Sequence, residues 1–81
     1  MARILTQDGR KNVCGPRIRA LRRQRKLSQE ELAAQLQLLG LDSERGVIKR
    51  IENGERYVND LELQIIARFF QVSYQYLIDG I

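Results

Sequence analysis

Arg45, Lys49, Arg50 and Asn53 recur so that, at about 100° per residue, they share one side of a helix over residues 45 to 53. Gly46 falls on the same side, and Val47, Ile48 and Ile51 cluster opposite. Such a face is rich in hydrogen-bond donors and backed by an apolar anchor. Arginine can pair bidentately with guanine, and lysine can reach the same acceptors or a phosphate. Gly46, lacking a side chain, would let the backbone approach a polyanion closely. Glu44 is the exception; it suits either the first turn of the helix or a cytosine amino group. The chemistry implied is recognition of double-stranded DNA, although a solvated helix face has a similar outline.

Catalysis has little to work with. The chain contains no histidine, and Cys14 is its one cysteine, so no internal disulfide and no common activating partner for a thiolate exist. The expectation is a non-enzyme with no cofactor and no metal. The 81 residues suit one domain, and 43% hydrophobic with 30% charged residues suits an ordered chain. No apolar run approaches membrane-spanning length, and no signal segment is evident, so a cytoplasmic protein is expected. The net charge of +4 is unevenly placed. Arg10, Lys11, Arg17, Arg19, Arg22, Arg23, Arg25 and Lys26 form a block without an acidic residue, which suits a polyanionic partner.

The elements that must position these groups read as helices. Residues 1–14 lack helical periodicity and are expected to form a flexible arm, and 15–81 the folded domain. Gly15-Pro16 opens a first helix that fades by Lys26, with Ile18 and Leu21 inward. Ser28 and Glu31 form a capping box for a second helix carrying Leu32, Ala33, Leu36 and Leu39 on one face, ended by Gly40. Asp42-Ser43 offers caps for the third helix, which Gly54 terminates. Asn59 with Glu62 caps a fourth, with Leu63, Ile66, Ala67 and Phe70 inward, and Ser73 caps a short fifth. The expected fold is all-α, a compact five-helix domain whose second and third helices meet through a Gly-containing turn. In a helix-turn-helix the second helix of the pair lies in the major groove.

Four motifs in order carry a family resemblance: Arg-Ile-Arg-x-Leu-Arg at 17–22, Leu-Ser-Gln-x-Glu-Leu-Ala at 27–33, Ile-x-x-Ile-Glu-x-Gly at 48–54 and Ile-Ala-x-x-Phe-x-Val-Ser at 66–73. The chain resembles the Cro/phage-repressor helix-turn-helix family, also called the XRE family. That resemblance implies a lambda-repressor-like five-helix DNA-binding fold. It implies that Gln29 grips a backbone phosphate and that Arg45, Gly46 and Arg50 lie where bases are read. Asn53 and Arg56 match positions near phosphates, and Arg22 and Glu52 match a largely buried ion pair. Lys49 joins the base-contact candidates, and Arg19, Arg23 and Ser28 those for the DNA backbone. The stretch 37–43 is longer than the usual tight turn, a variant that the family also contains.

Leu61, Ile65 and Phe69 form a second apolar stripe on the fourth helix, with Tyr74, Tyr76, Ile78 and Ile81 nearby. A symmetric dimer interface involving Leu61, Ile65, Phe69 and Tyr74 is expected, since two-fold binders read pseudo-palindromic sites. The expected function is a transcriptional regulator, a repressor acting as a homodimer. The alternative is a protein-interaction module, or an antitoxin-like partner, with the same fold and little operator binding. An RNA partner ranks lower, because no aromatic stacking platform accompanies the charge.

Overall fold

Two capping boxes set the frame. Ser28 Oγ accepts from the Glu31 N–H at 3.0 Å while the Glu31 carboxylate accepts from the Ser28 N–H at 2.9 Å. Asn59 and Glu62 repeat the arrangement at 2.8 and 3.0 Å. The computed structural model describes residues 4–44 and 46–81. Its helices are α1 (Gly15–Gln24), α2 (Gln29–Leu38), α3 (Val47–Glu52), α4 (Asp60–Phe70) and α5 (Tyr74–Asp79). No strand occurs among the described residues.

α3 lies at the centre, packed against α1 and α2, while α4 packs on α2 and α5. Ile18, Leu32, Leu36, Val47, Ile48, Ile51, Ile66, Ala67, Phe70 and Leu77 form the core, with Leu41 and Cys14 supplied by the connecting segments. Burial pushes the Cys14 thiol above its ordinary pKa, so this free cysteine is held as a neutral, packed group.

Two boundaries differ from the sequence reading. The third helix begins at Val47 and not just after Asp42-Ser43. The Ser43 hydroxyl donates to Ala33 O at 2.9 Å, so it tethers the connection to α2 and caps nothing. The chain after Leu39 is drawn inward by buried Leu41, whose N–H returns to Leu36 O. Leu39, expected on the inner face of α2, is 52% exposed because the helix ends one residue before it.

The second difference concerns the arm expected over residues 1–14. From Arg10 onward it is part of the folded body. Asn12 and Cys14 are buried, and Asn12 Oδ1 accepts from the Gly15 N–H at 2.8 Å. Gly15 itself has no room for a side chain, because a Cβ there would overlap Ile51 O on α3. A polar, aperiodic segment can dock when its side chains pair with buried backbone groups, which periodicity does not report.

Much of the basic block is also structural. Arg17 Nη1 donates to Leu77 O and Ile78 O at the end of α5, both at 3.2 Å. Arg25 donates to Phe69 O and Phe70 O at the end of α4, both at 3.1 Å, and stacks on both rings. Helix C-termini leave carbonyls unpaired and carry partial negative charge, so a guanidinium satisfies both demands. Arg19, Arg23 and Lys26 of the block remain exposed.

Candidate nucleic-acid interface

α3 is short, and four of its six residues face inward: Val47, Ile48, Ile51 and Glu52 are all buried. With one side fixed, Lys49 and Arg50 project outward, and Asn53 follows at the helix end, all three exposed. Arg45 lies outside the described residues. Gly46 has φ +85 and caps the helix start. A Cβ at Gly46 would lie 3.2 Å from Arg50 Nη1. The glycine thus serves first to permit a left-handed turn and to leave space for the folded-back Arg50 side chain.

Behind this face sits a charged network. Arg22 Nε donates to Glu52 Oε2 at 2.6 Å and Arg22 Nη2 to Glu52 Oε1 at 3.1 Å. The remaining Arg22 amino group donates to Leu27 O at 2.8 Å. Glu52 is 4% exposed and Arg22 9%, so the pair is largely shielded from water. These hydrogen bonds raise the Arg22 pKa further above its usual range, keeping the cation charged. Gln29 Nε2 also donates to Glu52 Oε1, at 3.1 Å. One carboxylate therefore ties α1 and the start of α2 to α3. An amide nitrogen carries two hydrogens, and turning Gln29 Oε1 toward the carboxylate would be repulsive. Glu52 thereby selects the amide orientation that leaves one N–H for another acceptor.

Beside that network lie further exposed donors. Arg19 and Arg23, at i and i+4, are exposed on one side of α1, and Lys26 is exposed in the turn after it. On the helical wheel that side adjoins Arg22 and hence the start of α2. Ser28 is exposed, its oxygen engaged in the capping box. Gln29, Gly46 and Lys49 line one shallow cleft with Glu30, Ala33 and Ile48.

Arg56, expected near the DNA backbone, also has a structural role. Both of its amino groups donate to the Glu62 carboxylate, at 3.1 and 2.7 Å, and Nη1 also reaches Tyr57 O. Arg56 in turn holds the Glu62 carboxyl below the usual carboxylate range. The residue braces the α3–α4 connection onto the start of α4, using three of its five N–H donors to do so.

The second stripe on α4 is divided. Leu61 is 69% exposed and Tyr74 50%. Ile65 and Phe69 pack against the core, and Phe69 meets Phe70 edge-on with ring centroids 5.0 Å apart. Leu38, and Leu39 which helical spacing placed inward, are further exposed apolar groups at the end of α2. Arg10 and Asn12, absent from the sequence candidates, contact the end of α3 directly.

Two short helices, α2 capped by serine and α3 with a buried back and a donor-rich front, define a helix-turn-helix DNA-binding domain. The family model described as Helix-turn-helix matches residues 18–77. The chain belongs to that family, the Cro/phage-repressor (XRE) type, whose members are DNA-binding regulators and not an enzyme family. Neither the curated proteins nor the solved structures contain a match to the chain. Among the described residues, no helix is long and apolar enough to cross a membrane.

Proposed function

We propose that the chain is a sequence-specific transcriptional repressor acting in the cytoplasm, binding a pseudo-palindromic operator as a homodimer with α3 in the major groove. The supporting observation is the rigid presentation of Lys49, Arg50 and Asn53 on a helix whose opposite side is buried. Lys49 and Arg50, together with Gly46 and with Arg45 as the sequence suggests, read bases. Arg19, Arg23, Ser28, Gln29 and Asn53 hold the DNA backbone. Leu61 and Tyr74, with the flanks of Ile65 and Phe69, supply the surface on which a second copy packs.

Selection from a random duplex library tests this reading, with sedimentation of the selected complex to count protomers. The expected result is enriched sites with two half-sites about one helical turn apart, occupied by two chains. Recovery of random sequence would contradict operator reading, and one chain per site would contradict the dimer. Arg50→Ala should lose about 1–3 kcal/mol of discrimination between the selected site and a mutated one. Arg23→Ala should weaken selected and random duplexes alike. Equal behaviour of the two variants on both kinds of duplex would remove the division between base and backbone contacts.

A further inference from the structure

Arg10, Lys11 and Asn12 precede the residues that match the family, yet they close over the C-terminal end of α3. Arg10 Nη2 donates to Glu52 O at 2.9 Å. Asn12 Nδ2 donates to Ile51 O at 3.0 Å and to Arg56 O at 2.8 Å. The Lys11 N–H donates to Gly54 O at 2.8 Å. Carbonyls at 51, 52, 54 and 56 are thus all taken by three consecutive residues. Asn12 Oδ1 simultaneously accepts from the first N–H of α1, so one side chain joins the start of α1 to the end of α3.

Close packing on both sides accompanies these bonds. A Cβ at Gly54, where φ is +76, would lie 2.7 Å from Arg10 Cζ. Asn12 is 9% exposed, and its amide has a partner for each polar atom. α3 has only six residues, fewer than a helix needs to persist by itself. Its direction is therefore set by the packing of its buried side and by what grips its ends. At its C-terminal end that grip comes from residues 10–12.

We propose that Arg10 and Asn12 are positioning residues for DNA binding. They clamp the last turn of α3 and the turn after it, and so aim Arg50 and Asn53 without touching DNA themselves. This inference rests on the reading of α3 as the DNA-contacting helix.

The test uses the full chain and the tightest duplex that the wild-type chain selects from a random library. Arg10→Lys keeps the charge but loses the guanidinium geometry that reaches Glu52 O. Asn12→Ala, also neutral in net charge, removes both donated bonds. Each variant is first checked by circular dichroism to be folded at the assay temperature. The Kd for the selected duplex should rise about tenfold, or ~1.4 kcal/mol. The slope of log affinity against log salt should not change, because no phosphate contact is removed. Hydrogen exchange should show lost protection at the amides of residues 53–57.

Wild-type Kd values in both variants would overturn the clamp. A slope reduced by about 0.9 in Arg10→Lys would also overturn it, since Arg10 would then be a direct phosphate contact. Should Asn12→Ala unfold, Arg10→Lys carries the same readouts alone. Failure of the wild-type chain to select any duplex would overturn the DNA reading and the clamp together. That outcome is recognisable because it involves no variant.

Discussion

Glu52→Ala is expected to destabilise the fold by ~3–5 kcal/mol, the cost of leaving a shielded cation without its counter-charge. In a domain of this size that corresponds to a fall in melting temperature of roughly 12 °C or more. The geometry places the effect at this high level. Both carboxylate oxygens are engaged, Oε2 by Arg22 Nε and Oε1 by Arg22 Nη2 and Gln29 Nε2. Removing the carboxylate leaves Arg22 with only Leu27 O as an acceptor in a site where water has little access. It also frees Gln29, so DNA affinity should fall even at temperatures where the variant stays folded.

The double variant Arg22→Met/Glu52→Leu separates loss of a partner from loss of the pair. Apolar groups of similar volume often replace a buried pair at no net cost, so much of the lost stability should return. DNA affinity should not return with it, because the carboxylate that orients Gln29 is still missing. A thermal melt unchanged in Glu52→Ala would mean that the pair contributes nothing to stability.

Raising monovalent salt from about 50 to 200 mM should lower DNA affinity by about three decades for a complex with ~6 phosphate contacts. Which cations supply that dependence is a structural question. Arg10, Arg17, Arg22, Arg25 and Arg56 donate to carbonyls or carboxylates of the chain itself. Arg19, Arg23, Lys26, Lys49 and Arg50 are exposed cations on or beside the proposed contact face. Arg23→Ala should therefore shift the slope by about 0.9, whereas Arg17→Ala should leave it unchanged and instead lower the melting temperature by loosening the end of α5. If Arg17→Ala changed the slope and Arg23→Ala did not, the division of the basic block into structural and DNA-facing cations would be reversed.

Local signals are legible in the sequence because their physics is local. The capping boxes at Ser28 and Asn59 join residues three apart, and each began a helix where the motif placed it. The wheel of α3 separated Val47, Ile48 and Ile51 from Lys49 and Arg50, since a helix has one rotation per residue whatever surrounds it. Composition misleads where a polar side chain has distant alternatives. Ser43 had the composition of a helix cap but found Ala33 O, ten positions back. The cations at 10, 17 and 25 had the composition of a polyanion surface, yet their acceptors lie 42, 60 and 44 positions away.

The α4 stripe was divided for a related reason. Leu61, Ile65 and Phe69 are equivalent by spacing, but Arg25 and Phe70 cover Phe69 and nothing of the sort covers Leu61. Gly46, expected as a point of close approach, also takes a left-handed turn whose missing side chain leaves room for Arg50, a second demand that spacing alone does not reveal.

From the order of residues alone came the all-helical class, the caps and glycine stops, and the donor-bearing front of α3, since each depends on neighbours within about one helical turn. Tertiary packing alone decided which arginines serve the fold, where α3 begins, and that Arg10 and Asn12 hold its far end. Those outcomes turn on orphan backbone carbonyls finding donors across the core, and a carbonyl is present at every residue, so nothing in the side-chain pattern marks which ones will be left in need.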